Sequence, residues 1–330
     1  MINLTNKSPS ISKKIFFCNY WITYRCNSKC EFCNFWIDSS LKNLPDAKFK
    51  DVEKNLNDLK KMGVKFIDFT GGEPLLNKEL PQILSYAKKL GFFVKLSTNG
   101  LLYPQKAEEL KGLPTRIYFS FDTTSEEEYK KIRGVDGFNK VVESINIAKE
   151  QGQDICLVYT VTDENIKNIS NIANFAKKNK TTVYIHPCFS YFENKSLNEK
   201  NIDIIKKYFW HPYIRMSLPQ LDFHKKGGNN PSKPSCKVGF STIDIGPDNC
   251  LTIPCSHKYL TRKKIDGNLW SMYNSKDWRD MFSNIGRYDF CNHCTIDCYF
   301  GMSYSDRISR YFVKQNLTFL KNFIESCRSK

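Results

Sequence analysis

Three cysteines stand close together near the start of the chain, Cys26, Cys30 and Cys33, in the run Cys-Asn-Ser-Lys-Cys-Glu-Phe-Cys. Three thiolates on one short loop can hold three corners of a cubane iron–sulfur cluster and leave the fourth iron open to a ligand from outside. Zinc also takes cysteines at such spacings, so the loop by itself admits either metal. A second cysteine field, Cys236, Cys250, Cys255, Cys291, Cys294, Cys298 and Cys327, fills the C-terminal third. No apolar run reaches the roughly eighteen residues of a membrane span, and Ile15-Phe16-Phe17 is too short for a signal-peptide core. The chain is therefore expected to be cytoplasmic, where thiols stay reduced, and its 13 clustered cysteines point to metal ligation over disulfides.

Such loops need a scaffold, and the pattern from Phe16 to His186 supplies one. Short β-branched or aromatic runs alternate with longer amphipathic ones, the signature of parallel strands joined by crossover helices. Strands are expected at Phe17–Tyr24, Phe66–Phe69, Phe92–Leu96, Ile117–Phe121, Ile155–Val161 and Val183–His186. Between them Phe49, Val52, Leu56, Leu59 and Met62 recur at helical spacing, as do Phe138, Val141, Val142, Ile145 and Ala148, and Ile166, Ile169, Ile172 and Ala176. Gly63, Gly91 and Gly152 each precede a strand, where a helix must stop. The fold class expected is α/β, an open (β/α)6 partial TIM-type barrel, whose chemistry gathers at the C-terminal rim of its strands.

Polar, glycine-bearing segments leave that rim in succession: the cysteine loop, Gly71-Gly72-Glu73-Pro74, Ser97-Thr98-Asn99-Gly100, Ser120-Phe121-Asp122 and Thr160 to Asn165. The net charge of +16 has a plainer origin than a nucleic-acid footprint. Lys60-Lys61, Lys88-Lys89 and Lys177-Lys178 fall where helices end, and cations there complement the helix dipole. Nucleic acid is not the expected partner.

The cysteine loop, with Phe32 before its last cysteine, and the ordered rim segments together resemble the radical S-adenosylmethionine superfamily over about the first 190 residues. The resemblance implies a [4Fe-4S] cluster on Cys26, Cys30 and Cys33, whose open iron chelates S-adenosylmethionine. A 5′-deoxyadenosyl radical formed there takes a hydrogen atom from a bound substrate. It also implies that Phe32 and Gly71, Gly72 and Glu73 border the cofactor, the last three beside the methionyl amine, with Glu73 or a nearby carbonyl as acceptor. Ser97, Thr98, Asn99, Ser120 and Asp122 become candidates for the ribose hydroxyls and the methionyl carboxylate. Arg133 is a candidate partner of that carboxylate or a solvated helix-end arginine, and Thr162 borders the adenine or caps a helix.

The C-terminal third resembles the SPASM and twitch extensions of the same superfamily. Ile243 to Cys255 reads as a hairpin about a Pro-Asp-Asn turn, with Cys250 in the turn, and Cys291-x2-Cys294-x3-Cys298 follows. One auxiliary [4Fe-4S] cluster is expected on Cys236, Cys255, Cys291 and Cys294, with Cys298 able to replace one of them. Zinc on the Cys-x2-Cys pair with Cys255 and His257 is the alternative, and His293 is assigned to loop shape. Cys188, just past the sixth strand, is a candidate hydrogen-atom donor or ordinary packing. The expected division is a barrel over 1–190, a connecting segment with a helix at Asn201–Phe209 over 191–235, an auxiliary region over 236–302, and a terminal helix within 303–330.

Three functions follow. The first is modification of a peptide or protein, the second oxidation or rearrangement of a small metabolite such as a sugar, aminocyclitol or cofactor precursor. A non-catalytic metal or nucleic-acid binder, the third, leaves the rim segments unexplained. Only 25 residues precede Cys26, too few for a leader-peptide domain, which weighs against the peptide reading. An electron donor such as flavodoxin or ferredoxin is the expected partner, and a membrane is not. No residue is singled out as a catalytic acid or base.

Overall fold

The structure, a computed structural model, describes residues 15–190, 194–296, 299–300, 313–314, 316–318 and 320–321. The chain begins with strand β1 (Phe17–Thr23), short helix α1 (Ser39–Lys42) and helix α2 (Phe49–Met62). There follow β2 (Phe66–Gly71), α3 (Leu80–Lys89), β3 (Phe93–Thr98), α4 (Tyr103–Leu110), β4 (Arg116–Ser120), α5 (Glu126–Arg133) and α6 (Phe138–Glu150). Next come β5 (Ile155–Val161), α7 (Ile169–Lys178), β6 (Thr182–Pro187), α8 (Glu199–Lys207), β7 (Ile214–Arg215) and α9 (Leu218–Lys225). The described part ends with β8 (Thr242–Ile245), β9 (Cys250–Cys255), β10 (Lys258–Lys264), α10 (Leu269–Asn274) and α11 (Lys276–Met281).

All six expected strands are present, displaced by no more than a residue or two. They lie in one ten-stranded sheet of order β10-β9-β8-β1-β2-β3-β4-β5-β6-β7. Pairing is parallel from β8 to β7 and antiparallel only in the β8-β9-β10 meander. The sheet is not closed, as expected of a partial barrel. Two features differ from the sequence reading. β7 adds a two-residue parallel strand, too short for alternation to mark. The expected hairpin is present as β8 and β9, and what the sequence reading did not give is that β8 also pairs with β1, Asn19 opposite Asp244, so that the C-terminal third extends the barrel sheet. Its outer strand β10, Lys-Tyr-Leu-Thr-Arg-Lys-Lys, carries the charges that discourage edge-to-edge pairing.

The helices form because their apolar stripes have a sheet to cover. On α2, Val52, Leu56, Leu59 and Met62 are buried, Lys60 and Lys61 occupy the last turn, and Gly63 ends the helix at φ 90°. Each fully buried aliphatic side chain of this kind contributes about 1.5–3 kcal/mol. The helix expected at Asn201–Phe209 is α8, set two residues earlier by Asn198, whose side chain accepts from the Asn201 amide. Most of the expected terminal helix, with Ile308, Tyr311, Phe312, Gln315 and Phe319, lies outside the described residues; 313–314, 316–318 and 320–321 are helical. Among the described residues no helix is long and apolar enough to cross a membrane.

Along β3, β4 and β6 burial alternates. Val94, Leu96, Ile117, Phe119, Val183 and Ile185 are buried in the core, while Lys95, Ser97, Tyr118, Ser120, Tyr184 and His186 between them are only half-buried. A closed parallel barrel fills its interior with branched apolar side chains. Here the inner face is polar and reached by solvent.

Candidate functional site

β1 ends at Thr23 and the chain turns directly into the cysteine loop. Thr23 Oγ1 donates to Asp46 Oδ1 at 2.6 Å and accepts from the Arg25 amide at 3.0 Å, while the Arg25 guanidinium pairs with Asp46. The second rim segment lies against this root: the Gly72 amide donates to Thr23 O and the Glu73 amide to Arg25 O, each at 2.8 Å. A Cβ on Gly72 would stand 2.2 Å from Arg25 O, so only glycine allows this approach. From the other side the end of α5 holds the loop, with the Lys29 amide donating to Arg133 O at 2.9 Å and Glu31 to Ile132 O at 3.0 Å.

Each of the three sulfurs meets an N–H donor. The Ser28 amide donates to Cys26 Sγ at 3.4 Å, Arg133 Nη1 donates to Cys30 Sγ at 3.5 Å, and the Phe35 amide faces Cys33. Burial pushes the Cys26 thiol up to about 12 and the Cys33 thiol up to about 11. Metal binding here must therefore displace protons. Three thiols on one loop, each with a donor aimed at its sulfur, fit an iron–sulfur cluster, whose thiolates take such hydrogen bonds. Among the described residues no three His, Cys, Asp or Glu side chains form a group that could hold a single metal ion.

The rim residues are brought together, but several are engaged within the protein. Glu73 is fully buried: Oε1 accepts from the Leu75 amide at 3.0 Å and Thr98 Oγ1 at 2.7 Å, and Oε2 from the Asn99 amide at 2.7 Å. Burial raises its carboxyl to about 7 against the pull of these donors. Thr98 also accepts from the Gly100 amide. Asn99 ties the third segment to the first, with Nδ2 donating to Asn27 Oδ1 at 2.7 Å and Ser28 Oγ at 3.0 Å. Ser97 Oγ donates to Asp68 at 2.8 Å.

Arg133 is not the solvated helix-end residue that its position suggests. It is 6% exposed, paired with buried Asp122, and its guanidinium lies 5.3 Å from the Phe32 ring centroid. Asp122 Oδ1 accepts from the Thr160 amide at 2.8 Å; burial raises its carboxyl and the Arg133 charge draws it back. Thr162 and Asn165 cap each other, Thr162 N donating to Asn165 Oδ1 at 2.9 Å and Asn165 N to Thr162 Oγ1 at 3.3 Å. Ser120 and Phe32 are half-buried at the rim.

In the second cysteine field Cys236, Cys255, Cys291 and Cys294 are all partly buried. Burial raises the Cys236 and Cys255 thiols, and the neighbouring Cys294 adds to both. Asn229, which carries no sequence motif, organises the loop. It is 2% exposed, donates from Nδ2 to Gly286 O at 2.8 Å and Cys291 O at 3.0 Å, and accepts through its backbone from the His293 amide. His293 sits at φ 59° with its ring on Gly227 O, a loop-shaping role. His257 Nδ1 faces Tyr299 Oη at 2.9 Å and its ring packs on Trp21, Phe35 and Phe189. Cys250 opens β9 instead of lying in the turn, and its thiol donates to Asp248 O. Cys298 and Cys327 lie outside the described residues. Cys188 is buried just past β6.

The inner face of the sheet holds residues that no motif marks. Lys95 pairs with Asp68 at 2.6 Å and lies 4.6 Å from the Tyr118 ring centroid, and Asn19 Nδ2 donates to Asp244 at 2.8 Å. Their only trace in the sequence is a polar residue at every second strand position.

The family model of the Radical SAM superfamily matches residues 20–176. A probable GTP 3′,8-cyclase of Sulfolobus acidocaldarius is 36% identical over 133 residues, 38% of this chain and 42% of that protein. One from Metallosphaera sedula is 29% identical over 210 residues, 57% of this chain and 66% of its own length. The GTP 3′,8-cyclase of Clostridium acetobutylicum is 30% identical over 138 residues, 41% of this chain and 43% of that protein. The chain thus spans about two fifths to two thirds of these relatives. Among solved structures, Streptococcus suis SuiB bound to S-adenosylmethionine shares the fold at TM-score 0.66 and 16% identity, over 86% of this chain and 69% of that one. The structure of anSMEcpe with bound AdoMet does so at TM-score 0.61 and 16% identity, over 95% and 97%. Residues 20–176, which hold the cysteine loop and the other four rim segments, are a domain of the radical SAM superfamily, whose members work with a [4Fe-4S] cluster and S-adenosylmethionine.

Proposed function

We propose that the chain is a radical SAM enzyme acting on a small metabolite. The observation that carries the reading is the cysteine loop at the rim of β1, with three thiols each facing an N–H donor, inside the matched domain. Cys26, Cys30 and Cys33 would hold a [4Fe-4S] cluster. Together with S-adenosylmethionine that group would supply reductive cleavage of the cofactor and hydrogen-atom abstraction from a substrate. The chain's own residues position and shield. Gly71 and Gly72 bring main-chain carbonyls to the methionyl amine, a part that Glu73 does not take because its oxygens are engaged. Phe32, Ser97, Ser120 and Thr162 border the nucleoside, and the buried Arg133–Asp122 pair steadies the Cys30 corner. Asn99 and Thr98 brace the loop from the third segment.

The substrate reading leans on the curated relatives, named as GTP 3′,8-cyclases, and on the polar inner face of the sheet, which suits a small hydrogen-bonding molecule. Peptide modification is the second reading. It is favoured by the fold shared with SuiB bound to its precursor peptide SuiA, at TM-score 0.68 over 90% of this chain. Cys236, Cys255, Cys291 and Cys294 form a SPASM- or twitch-like auxiliary cluster site, with Cys298 as a further ligand candidate. A flavodoxin or ferredoxin supplies the electron.

The test is anaerobic reconstitution, with 5′-deoxyadenosine measured after dithionite is added. The wild type forms it and Cys30→Ala does not; survival of the product in the variant overturns the assignment. Iron should fall from about eight to about four per chain in Cys255→Ala, with cofactor cleavage retained.

A further inference from the structure

One stretch of surface reaches both cysteine fields. Trp36, three residues past Cys33, is half-buried, and its Nε1 donates to Cys30 O at 3.2 Å. Next to it Ile37 is 54% exposed. Ser40 Oγ of α1 and Tyr259 Oη of β10 stand 3.0 Å apart, which sets this segment beside the outer strand of the sheet. There Leu260 is 61% exposed, and Lys258 O lies 4.0 Å from Cys255 Sγ. The charge of this patch is one-sided. The carboxylates at hand are engaged within the protein, Asp46 by Arg25 and Thr23, Asp248 by Arg262, and Asp38 by Ser40. Lys258 and Lys263, both exposed on β10, therefore set the sign of the local field. Exposed apolar residues standing singly are ordinary surface, but an apolar centre inside a charged rim is the anatomy of a protein contact.

We propose that this patch is the docking surface of a small acidic electron-carrier protein of the flavodoxin type. The proposal rests on the radical SAM reading and names where its reductant seats. Carboxylates around the carrier's flavin meet Lys258 and Lys263, and the apolar dimethylbenzene edge of the flavin meets Ile37 and Leu260. Electron tunnelling falls steeply with distance, and a carrier seated here has the first cysteine loop behind Trp36 and Cys255 behind Lys258. Its anionic hydroquinone gives one electron to the holoprotein and becomes the neutral semiquinone, and no proton changes hands. Redox encounters of this kind bury little surface, and opposite charges speed the encounter without prolonging it. A second copy of this chain suits the patch less, because a two-fold contact would bring the same lysines face to face.

The probe is flavodoxin, used anaerobically with the reconstituted holoprotein. It is titrated in its oxidised form for affinity and supplied as the hydroquinone, in place of dithionite, for 5′-deoxyadenosine formation. The wild type binds it, and added salt weakens the binding. The double variant Lys258→Glu/Lys263→Glu and the single variant Ile37→Ser each lower the affinity about tenfold and slow the flavodoxin-driven reaction, while the dithionite-driven rate stays at the wild-type level. Lys177→Glu/Lys178→Glu, at the end of α7, changes the net charge equally and leaves the affinity unchanged. No binding by the wild type, unchanged affinity in both patch variants, or an equal loss in the α7 variant overturns the proposal. So does a wild-type dimer on gel filtration that the patch variants dissociate, which would make a second copy the occupant. Dithionite separates this failure from that of the radical reading: product formed with dithionite keeps that reading when docking fails, and its absence sinks that reading whatever flavodoxin does.

Discussion

Glu73 occupies a position where a carboxylate is expensive to ionise. It is fully enclosed, and its carboxyl is raised from 4.5 to about 7 by burial despite three donors. A raised acid favours the protonated folded state, so its contribution to stability is complete below about pH 4.5 and is lost as the pH climbs through about 7. Relative to Glu73→Gln, the wild type should lose about 3 kcal/mol across that window, read from urea unfolding at a series of pH values. A flat difference would mean that the carboxylate is not enclosed as described. The sequence marks Glu73, Asn99 and Arg133 as rim residues through their motifs, but their partners Thr98, Ser28 and Cys30 lie 25 to 103 positions away. Ligand contact and internal brace look alike until those partners are in place.

At the scale of elements, the end of α5 decides how firmly the cysteine loop is seated. Gly134 caps the helix at φ 66°, and a Cβ there would stand 2.5 Å from Lys29 O. Gly134→Ala should cost more than the roughly 1–2 kcal/mol of a left-handed alanine and should also lower iron per chain on reconstitution. Gly152→Ala, at φ 69° with open space around it, should cost only the conformational part and load iron normally. Equal iron content in the two variants would mean that α5 does not set the loop. Helices such as α2 and strands such as β5 were legible because their patterns are local. β7 has only two residues, and α9 is buried on several sides, so neither presents a periodic stripe.

For the whole molecule, the decisive contact is β8 on β1, a parallel pairing across more than 220 residues. Alternation revealed six barrel units and a hairpin, but the docking of one on the other is a long-range choice that no local pattern encodes. A chain ending at residue 235 should expose the β1 edge, strip Asn19 of Asp244 and aggregate; a soluble monomer by gel filtration would count against the shared sheet. Main-chain ladders tie each strand to the next from β10 to β7, yet among the described residues none joins those two edges. The connection that carries α9 is fastened to α8 by Lys206–Asp222 and Lys225–Asp203. Dissolved salt screens these ion pairs far more than it weakens the main-chain ladders, so raising ionic strength should loosen this connection before it loosens the sheet.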